Sequence, residues 1–287
     1  MANTLQDRYS ALVKKRLQQV LVTKDNVIFN NYYEGDAKAG AVKIPTRGEV
    51  TVSDYDKANG ITGTQSSTTY VTLAIDKDKA INEIIDGYDA QAVPDGIIAD
   101  RLERGAYGLA NDMDKKSIAI LEAGATKLST TTALTKTSAY ESIIDVSAQM
   151  TRAGVPNDGR RWIIVSPETK ALLLKSADFV KASDLGQELV MNGAVGAIGG
   201  FIVYESGNMM YQDTEFTASK KTTTEFIAGH PDYASRVAEF SVPVHVQDLA
   251  QSGNYIGACA VQGREVWGAT VLEKDAIYLK VTEVANS

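Results

Sequence analysis

The sequence predicts an α+β fold, and three observations carry that prediction. An apolar stripe at helical spacing runs through residues 95–123. Strand-like alternation dominates residues 226–246 and 255–283, in segments such as "VPVHV", "VWGATVL" and "AIYLKV". Between them, helical and strand-like segments follow one another without the regular repeat of a parallel β-α-β protein.

The elements follow in chain order. Residues 4–22 read as an amphipathic helix, capped by Thr4 and carrying Leu5, Tyr9, Leu12, Val13, Leu17, Val20 and Leu21 on one face. Residues 23–40 are mostly polar and read as a tether, so this helix is free to dock on its own domain or on a neighbour. Residues 41–75 read as a long two-stranded arm. "AVKIP" and "GEVTV" begin it, and "YVTLAI" closes it with Val71, Leu73 and Ile75 alternating. The seventeen residues between, "SDYDKANGITGTQSSTT", have little apolar content. Loops beyond about 12–15 residues are uncommon inside compact domains.

The longest helix is expected over 95–123, after Pro94 and Asp95. Its stripe is Ile98, Leu102, Ala106, Leu109, Met113, Ser117 and Ile120, its stop is Gly124, and its length is about 43 Å. Gly105 and Gly108 fall inside it, each at a cost of up to about 1 kcal/mol relative to Ala, which points to close packing or a bend. A Thr-rich link, 125–137, leads to a helix capped by Ser138 and stopped by Gly154. "VPNDGR" is a turn and "RWIIV" a short apolar strand. Ser166 then caps a helix with Pro167 at its first position.

The totals bound the function. The chain has 287 residues, 44% of them apolar and 23% charged, as in an ordinary globular protein of one large domain or two modest ones. No apolar run reaches the roughly 18–20 residues of a membrane span, and the polar start "MANTLQDRYS" lacks the apolar stretch of a signal peptide. A cytoplasmic origin is expected. The lone Cys259 excludes a disulfide within the chain. A net charge of −7 argues against a dedicated nucleic-acid binder. The local cations, Lys14 to Arg16 and Arg101 with Arg104, read as solvated helix faces.

The glycines of "GAVGAIGGFIVYES" (Gly193 to Ser206) pose the question of a phosphate loop. A dinucleotide fold needs strand, glycines, helix in that order. Here a helical "LGQELVMN" comes first and a strand follows, so the glycines read as a tight turn into a buried strand. Asp54 to Gly60 and Asp76 to Glu83 faintly resemble calcium loops but lack the required groups at loop positions five and six. His230 and His245 come without a cysteine cluster, and Cys259 lies in an apolar strand. Asp112 and Asp114, two apart on a helix, do not face each other. No nucleophile elbow is present. The expectation is no catalytic, cofactor-binding or metal-binding residue.

The arrangement resembles the major capsid proteins of tailed bacteriophages, the Hong-Kong-ninety-seven fold. The resemblance covers nearly the whole chain and is strongest in "RWIIVSPETKALLLKSADFVKASDLG…NGAVGAIGGFIVYESGNM", Arg161 to Met209. There a strand, a Ser-Pro-started helix, an "F-x-K-A-S-D" turn and a Gly-rich strand follow one another. "REVWGATVLEKDAIYLKV" (Arg264 to Val281) is similar to the family's late "Y-G-A-x-V" strand, with tryptophan in place of the usual tyrosine. The resemblance implies an N-terminal arm (1–40), an extended β-hairpin loop (41–75), a peripheral domain with a long spine helix (76–137 and 251–274), and an axial domain (138–250 and 275–287).

It further implies a homo-oligomer of pentamers and hexamers enclosing double-stranded DNA without sequence-specific binding. No membrane is involved, and the shell would be assembled in the host bacterial cytoplasm as a virion capsid. With about forty residues before the arm, a separate scaffolding protein is expected, alongside a portal. Candidate intersubunit contacts are Leu12, Leu17 and Leu21 on the N-terminal helix and Val50, Tyr55 and Lys57 on the arm. Some relatives crosslink a loop lysine to a neighbour's asparagine. Lys43 and Lys57 lie in the corresponding region, but no local motif marks the reaction. Two other readings are an encapsulin-type compartment shell, separable by what the shell contains, and a soluble enzyme with an unrecognised site, which predicts a small oligomer with a ligand pocket.

Overall fold

A computed structural model describes residues 18, 20–31, 40–47, 50–63, 65–92, 97–176, 196–209, 220–249 and 255–285. Two sheets and one long helix make the body. The first sheet is antiparallel and three-stranded, with β3 (Lys77–Ile85), β10 (Cys259–Val271) and β9 (Ala234–Asp248) in the order β3-β10-β9.

The second sheet is six-stranded. Its strands are β4 (Thr126–Lys127), β11 (Tyr278–Ala285), β8 (Lys220–Gly229), β5 (Trp162–Val165), β7 (Phe201–Glu205) and β6 (Gly196–Ile198), in that spatial order. The β4/β11 and β5/β7 pairs are parallel and the others antiparallel. The strand "WIIV" is apolar at every position because both faces of this sheet are covered. Ile163 and Val165 join Ala139, Ile143, Val146 and Met150 of α3 (Ser138–Arg152) and Leu173 of α4 (Pro167–Leu174). Trp162 and Ile164 face the other way, into a cluster with Ile118 and Leu121 of α2 (Ile97–Gly124). A short α1 (Gly87–Ala92) precedes α2.

The long helix ends at Gly124, as expected, and its 28 residues span about 42 Å. Its buried face is rotated from the expected stripe. Leu109 and Ser117 are shared, but Asp114, Ile118, Leu121 and Glu122 are buried while Ala106 is exposed. The helix packs first on the three-stranded sheet and then on the six-stranded one, so one straight stripe does not describe it. Gly105 marks the first contact: a Cβ there would meet Ile81 Cδ1 at 2.4 Å.

Ser166 caps α4, its Oγ accepting from Thr169 N at 3.1 Å. The cap expected from Ser138 takes another form, because Thr137 is the N-cap and makes no side-chain cap bond. Ser138 Oγ instead accepts from Thr135 N, and Thr135 Oγ1 from Ser138 N. Gly154, with φ +81°, ends α3. The glycine run turns between β6 and β7, with Gly199 at φ +57° and Gly200 at φ +89°. A strand follows it, so no helix N-terminus faces a phosphate. The segment "LGQELVMN" lies outside the described residues.

Candidate assembly surfaces

Two segments precede the three-stranded sheet in the chain. The first is 20–31, expected as a helix end running into a polar tether. Residues 20–24 are not helical, and the segment is docked on its own subunit. Val22, Ile28 and Phe29 join the apolar cluster of Ile118, Leu121 and Ile227. Polar groups fix the register. Asp114 Oδ1 accepts from Val22 N (3.0 Å), Thr23 N (2.9 Å) and Thr23 Oγ1 (2.8 Å), and its Oδ2 accepts from Asn208 Nδ2 (2.6 Å). Arg236 donates to Asp25 Oδ1 through Nε (3.0 Å) and Nη2 (2.7 Å), and to Thr23 O (2.7 Å), with its guanidinium 5.2 Å from the Phe29 ring centroid. Asn30 N donates to Ala234 O, and Arg236 N to Asn30 O. The rest of the expected helix, Leu12 and Leu17 included, lies outside the described residues. Leu21 is half-buried at the edge of the docked segment.

The second segment is the arm. β1 (Ala41–Arg47) and β2 (Thr68–Ala74) pair antiparallel for seven residues each, a paired length of about 24 Å. The "GEVTV" stretch is not a strand over its described residues 50–52. The arm's root is anchored: Leu73 is buried, Ile75 N donates to Gly40 O at 2.9 Å, and a Cβ on Gly268 of β10 would meet Ala74 O at 2.1 Å. Its outer part is not. Val50, Val52 and Tyr55 are 87%, 91% and 71% exposed, and Lys57 is exposed beside them. One tight turn orders this stretch. Asp56 O accepts from Gly60 N, and its carboxylate accepts from Ala58 N (2.9 Å) and Asn59 Nδ2 (2.6 Å). Those bonds, with Lys at position four and Ala at five, leave the faint calcium-like pattern as an ordinary turn. The second such pattern, Asp76 to Glu83, lies mostly on β3.

A further exposed apolar group was not singled out from the sequence. Tyr88, Tyr255 and Ile256 crowd the end of the three-stranded sheet, where the Gly87 and Gly257 backbones nearly touch. Tyr88 stands far in sequence from the adjacent pair Tyr255 and Ile256, and one residue and one pair set no period, so no periodic signal marks them.

The groups that resemble chemistry are structural in their geometry. His230 is fully buried, its Nε2 3.1 Å from Asp158 Oδ1 and its Nδ1 accepting from Asp232 N. Arg160 bridges Asp158 and Asp232, and its bonds hold the Asp158 carboxyl well below the usual carboxylate range. His245 is exposed on β9, well along the strand from His230. Among the described residues no group of three His, Cys, Asp or Glu side chains could hold a metal. A 350 Å³ cleft lined by Val155, Tyr233, Glu273 and Asp275 holds a phenol, Tyr233, that burial and then Asp232 and Glu273 make a weaker acid. Asp112 pairs with Lys116 and Asp114 with segment 22–23, so the two carboxylates do not work together. Arg104 pairs with Asp100 and Arg101 with Glu83, which spends that local positive charge on the surface.

A model of the phage capsid protein family matches residues 82–279. The chain belongs to the phage capsid protein family. Solved structures agree across nearly its whole length. A chain from Mycobacterium phage Che8 matches with TM-score 0.77 and 26% identity, covering 97% of each chain. The capsid of cyanophage P-SCSP1u matches with TM-score 0.75 at 14% identity, over 98% of this chain and 93% of that one. The mature capsid of bacteriophage PhiM1 matches with TM-score 0.71 at 14% identity, over 96% and 91%. No curated protein matches the sequence. The chain is thus a structural subunit, a major capsid protein with the α+β capsid fold, which assembles into a multi-subunit shell in the virion. The compartment-shell reading is not favoured.

Proposed function

We propose that this capsid protein builds an icosahedral wall of pentamers and hexamers around double-stranded DNA, without enzymatic activity. In this reading residues 1–40 are the N-terminal arm and 41–75 the extended loop. Residues 76–137 with 251–274 form the peripheral domain, and 138–250 with 275–287 the axial domain. A separate scaffolding protein and a portal guide assembly in the bacterial cytoplasm. The acidic balance of −7 supports a wall that encloses DNA without gripping it.

One observation carries the contact assignment. The arm is rooted in the body, yet its outer stretch exposes Val50, Val52, Tyr55 and Ile61 with no core of its own. A two-stranded hairpin is marginal in water by itself, so this stretch gains order by lying on a neighbouring subunit, with Val50, Tyr55 and Lys57 at the contact. Many copies of a weak contact add up through multivalency. Leu12, Leu17 and Leu21 are assigned to contacts of the N-terminal arm with a neighbour or the inner wall.

The test is to express the chain with residues 47–66 replaced by a short Gly-Ser turn. The expected product is a folded, soluble subunit that no longer elutes as a shell. Wild-type shells should protect DNA from nuclease when made during infection. A discrete small oligomer that binds a small molecule would overturn the reading.

A further inference from the structure

Glu122 sits in the last turn of α2, 3% exposed. Its helix neighbours Ile118 and Leu121 belong to the apolar cluster between α2 and the six-stranded sheet. So does Val281, the register partner of Thr224. The Thr224 hydroxyl lies beside the carboxyl and offsets part of the cost of burying it, but neither Glu122 Oε1 nor Thr224 Oγ1 reaches hydrogen-bonding geometry. An anion here is disfavoured twice, by burial and by the negative end of the helix macrodipole.

The charged groups on the elements around it are committed elsewhere. On α2, Lys116 pairs with Asp112, and Lys115 is exposed. On β8, Glu225 accepts from the Thr169 hydroxyl at 2.6 Å. On β11, Lys280 pairs in register with Phe226, on the face opposite the cluster, and its Nζ donates to Thr130. On the turn at 207–209 the packed side chain is Met209, and Tyr204 of β7 also packs against the cluster. Nothing among the described residues supplies Glu122 with a cation, and burial pushes its carboxyl up to about 8.

We propose that Glu122 is carried as a neutral carboxylic acid whose proton holds a pH-sensitive joint between the spine helix and the six-stranded sheet. The direction follows from linkage. Below the ordinary carboxylate value near 4.5 the folded and unfolded chains are both protonated there, and the joint's full stability is present. As pH rises toward 8 only the unfolded chain releases its proton, and stability falls. Above 8 the folded side chain ionises as well, and the end of α2 must admit water or lift from β8 and β11. The protein should therefore tolerate acid at this joint and loosen under alkali.

The experiment uses the soluble full-length chain, so its outcome is independent of whether shells form, which sedimentation scores separately. Carbon-13 NMR follows the Glu122 carboxyl through a titration, and urea unfolding is compared between wild type and E122Q at pH 5 and pH 8. The expected carboxyl midpoint is near 8. The wild-type unfolding constant should rise by up to about tenfold per pH unit through this range relative to E122Q, whose neutral amide has no proton to lose. Protection factors at 118–124 and 223–227, corrected for the intrinsic rise of exchange with pH, should fall in wild type above pH 8 and hold in E122Q. A midpoint in the ordinary carboxylate range, or equal behaviour of the two chains at both pH values, overturns the proposal. Should E122Q fail to fold, the wild-type titration decides alone.

Discussion

Segment 20–31 and loop 50–63 both carry several large apolar side chains, more densely in the first, and have opposite fates. The first carries Val22, Ile28 and Phe29, all buried; the second carries Val50, Val52, Tyr55 and Ile61, all exposed. What separates them is the polar partner waiting on the body. Asp114 and Arg236 are buried charged groups whose bonds go to backbone and side chains of residues 22–25. Without that segment Asp114 would keep its bond from Asn208 and Arg236 its bond to Ser117, but each would lose most of its partners, which is costly. Among the described residues the loop has no such counterpart on its own subunit. Its one carboxylate with several bonds, Asp56, is spent inside the turn. Docking thus depends on what the receiving surface lacks as well as on how greasy the arriving segment is.

The contrast can be broken from the docked side first. Replacing Phe29 with Ala removes a fully buried ring and the face under Arg236, and should cost the unassembled subunit about 3–5 kcal/mol in urea unfolding. A loss below about 1 kcal/mol would mean that the segment contributes little to the free subunit. Asp114→Asn should cost about 2–3 kcal/mol, because a charged acceptor of several bonds becomes a neutral one with an added donor facing N–H groups. Hydrogen exchange at 20–31 should rise with it; unchanged protection there would show that the apolar contacts alone hold the segment. Thr23→Val, which removes the hydroxyl's bond to Asp114 and the longer one it accepts from Arg236, should cost about 1 kcal/mol.

On the loop side the effects on the free subunit should nearly vanish. Val52→Ala should change its stability by less than about 0.5 kcal/mol, while lowering the yield or the urea resistance of shells. Strong exchange protection of residues 50–63 in the unassembled subunit would show the loop packed on its own body and remove the contrast altogether.

How much of this was legible in the sequence depends on the reach of each signal. The Ser166–Pro167 start of α4, the stop at Gly154, the long helix and the paired arm all rest on local patterns, and all are present. From sequence the docked segment reads as a helix end running into a tether, because "VIF" (27–29) is too short to show a period and the groups that hold it lie more than 90 positions away on α2 and 211 away on β9. Asp114 looked like one half of an idle carboxylate pair for the same reason. The rotation of the buried face of α2 was hidden because two different sheets receive the helix. Glu122 fell on that rotated face, where the stripe pattern predicted solvent. Of the contact candidates, Val50, Tyr55 and Lys57 were readable as exposed from the lack of a core around them. Tyr88, Tyr255 and Ile256 were not, because one residue and one adjacent pair set no period.

The span between Asp25 and Arg236 also sets a clock on biosynthesis. At about 5–20 residues per second, a ribosome needs roughly 10–40 s after making Asp25 to deliver Arg236, 211 positions later. For most of that interval Val22, Ile28 and Phe29 have emerged with no complete groove to enter, because β9 supplies part of it. Contacts of such sequence separation close late and slow the folding of the whole chain. Each nascent subunit thus spends its youth with a sticky N-terminal segment exposed, and polysomes carrying several copies bring those segments close together. A long wait of segment 20–31 for its partner follows from where the two halves of the clasp lie in the gene.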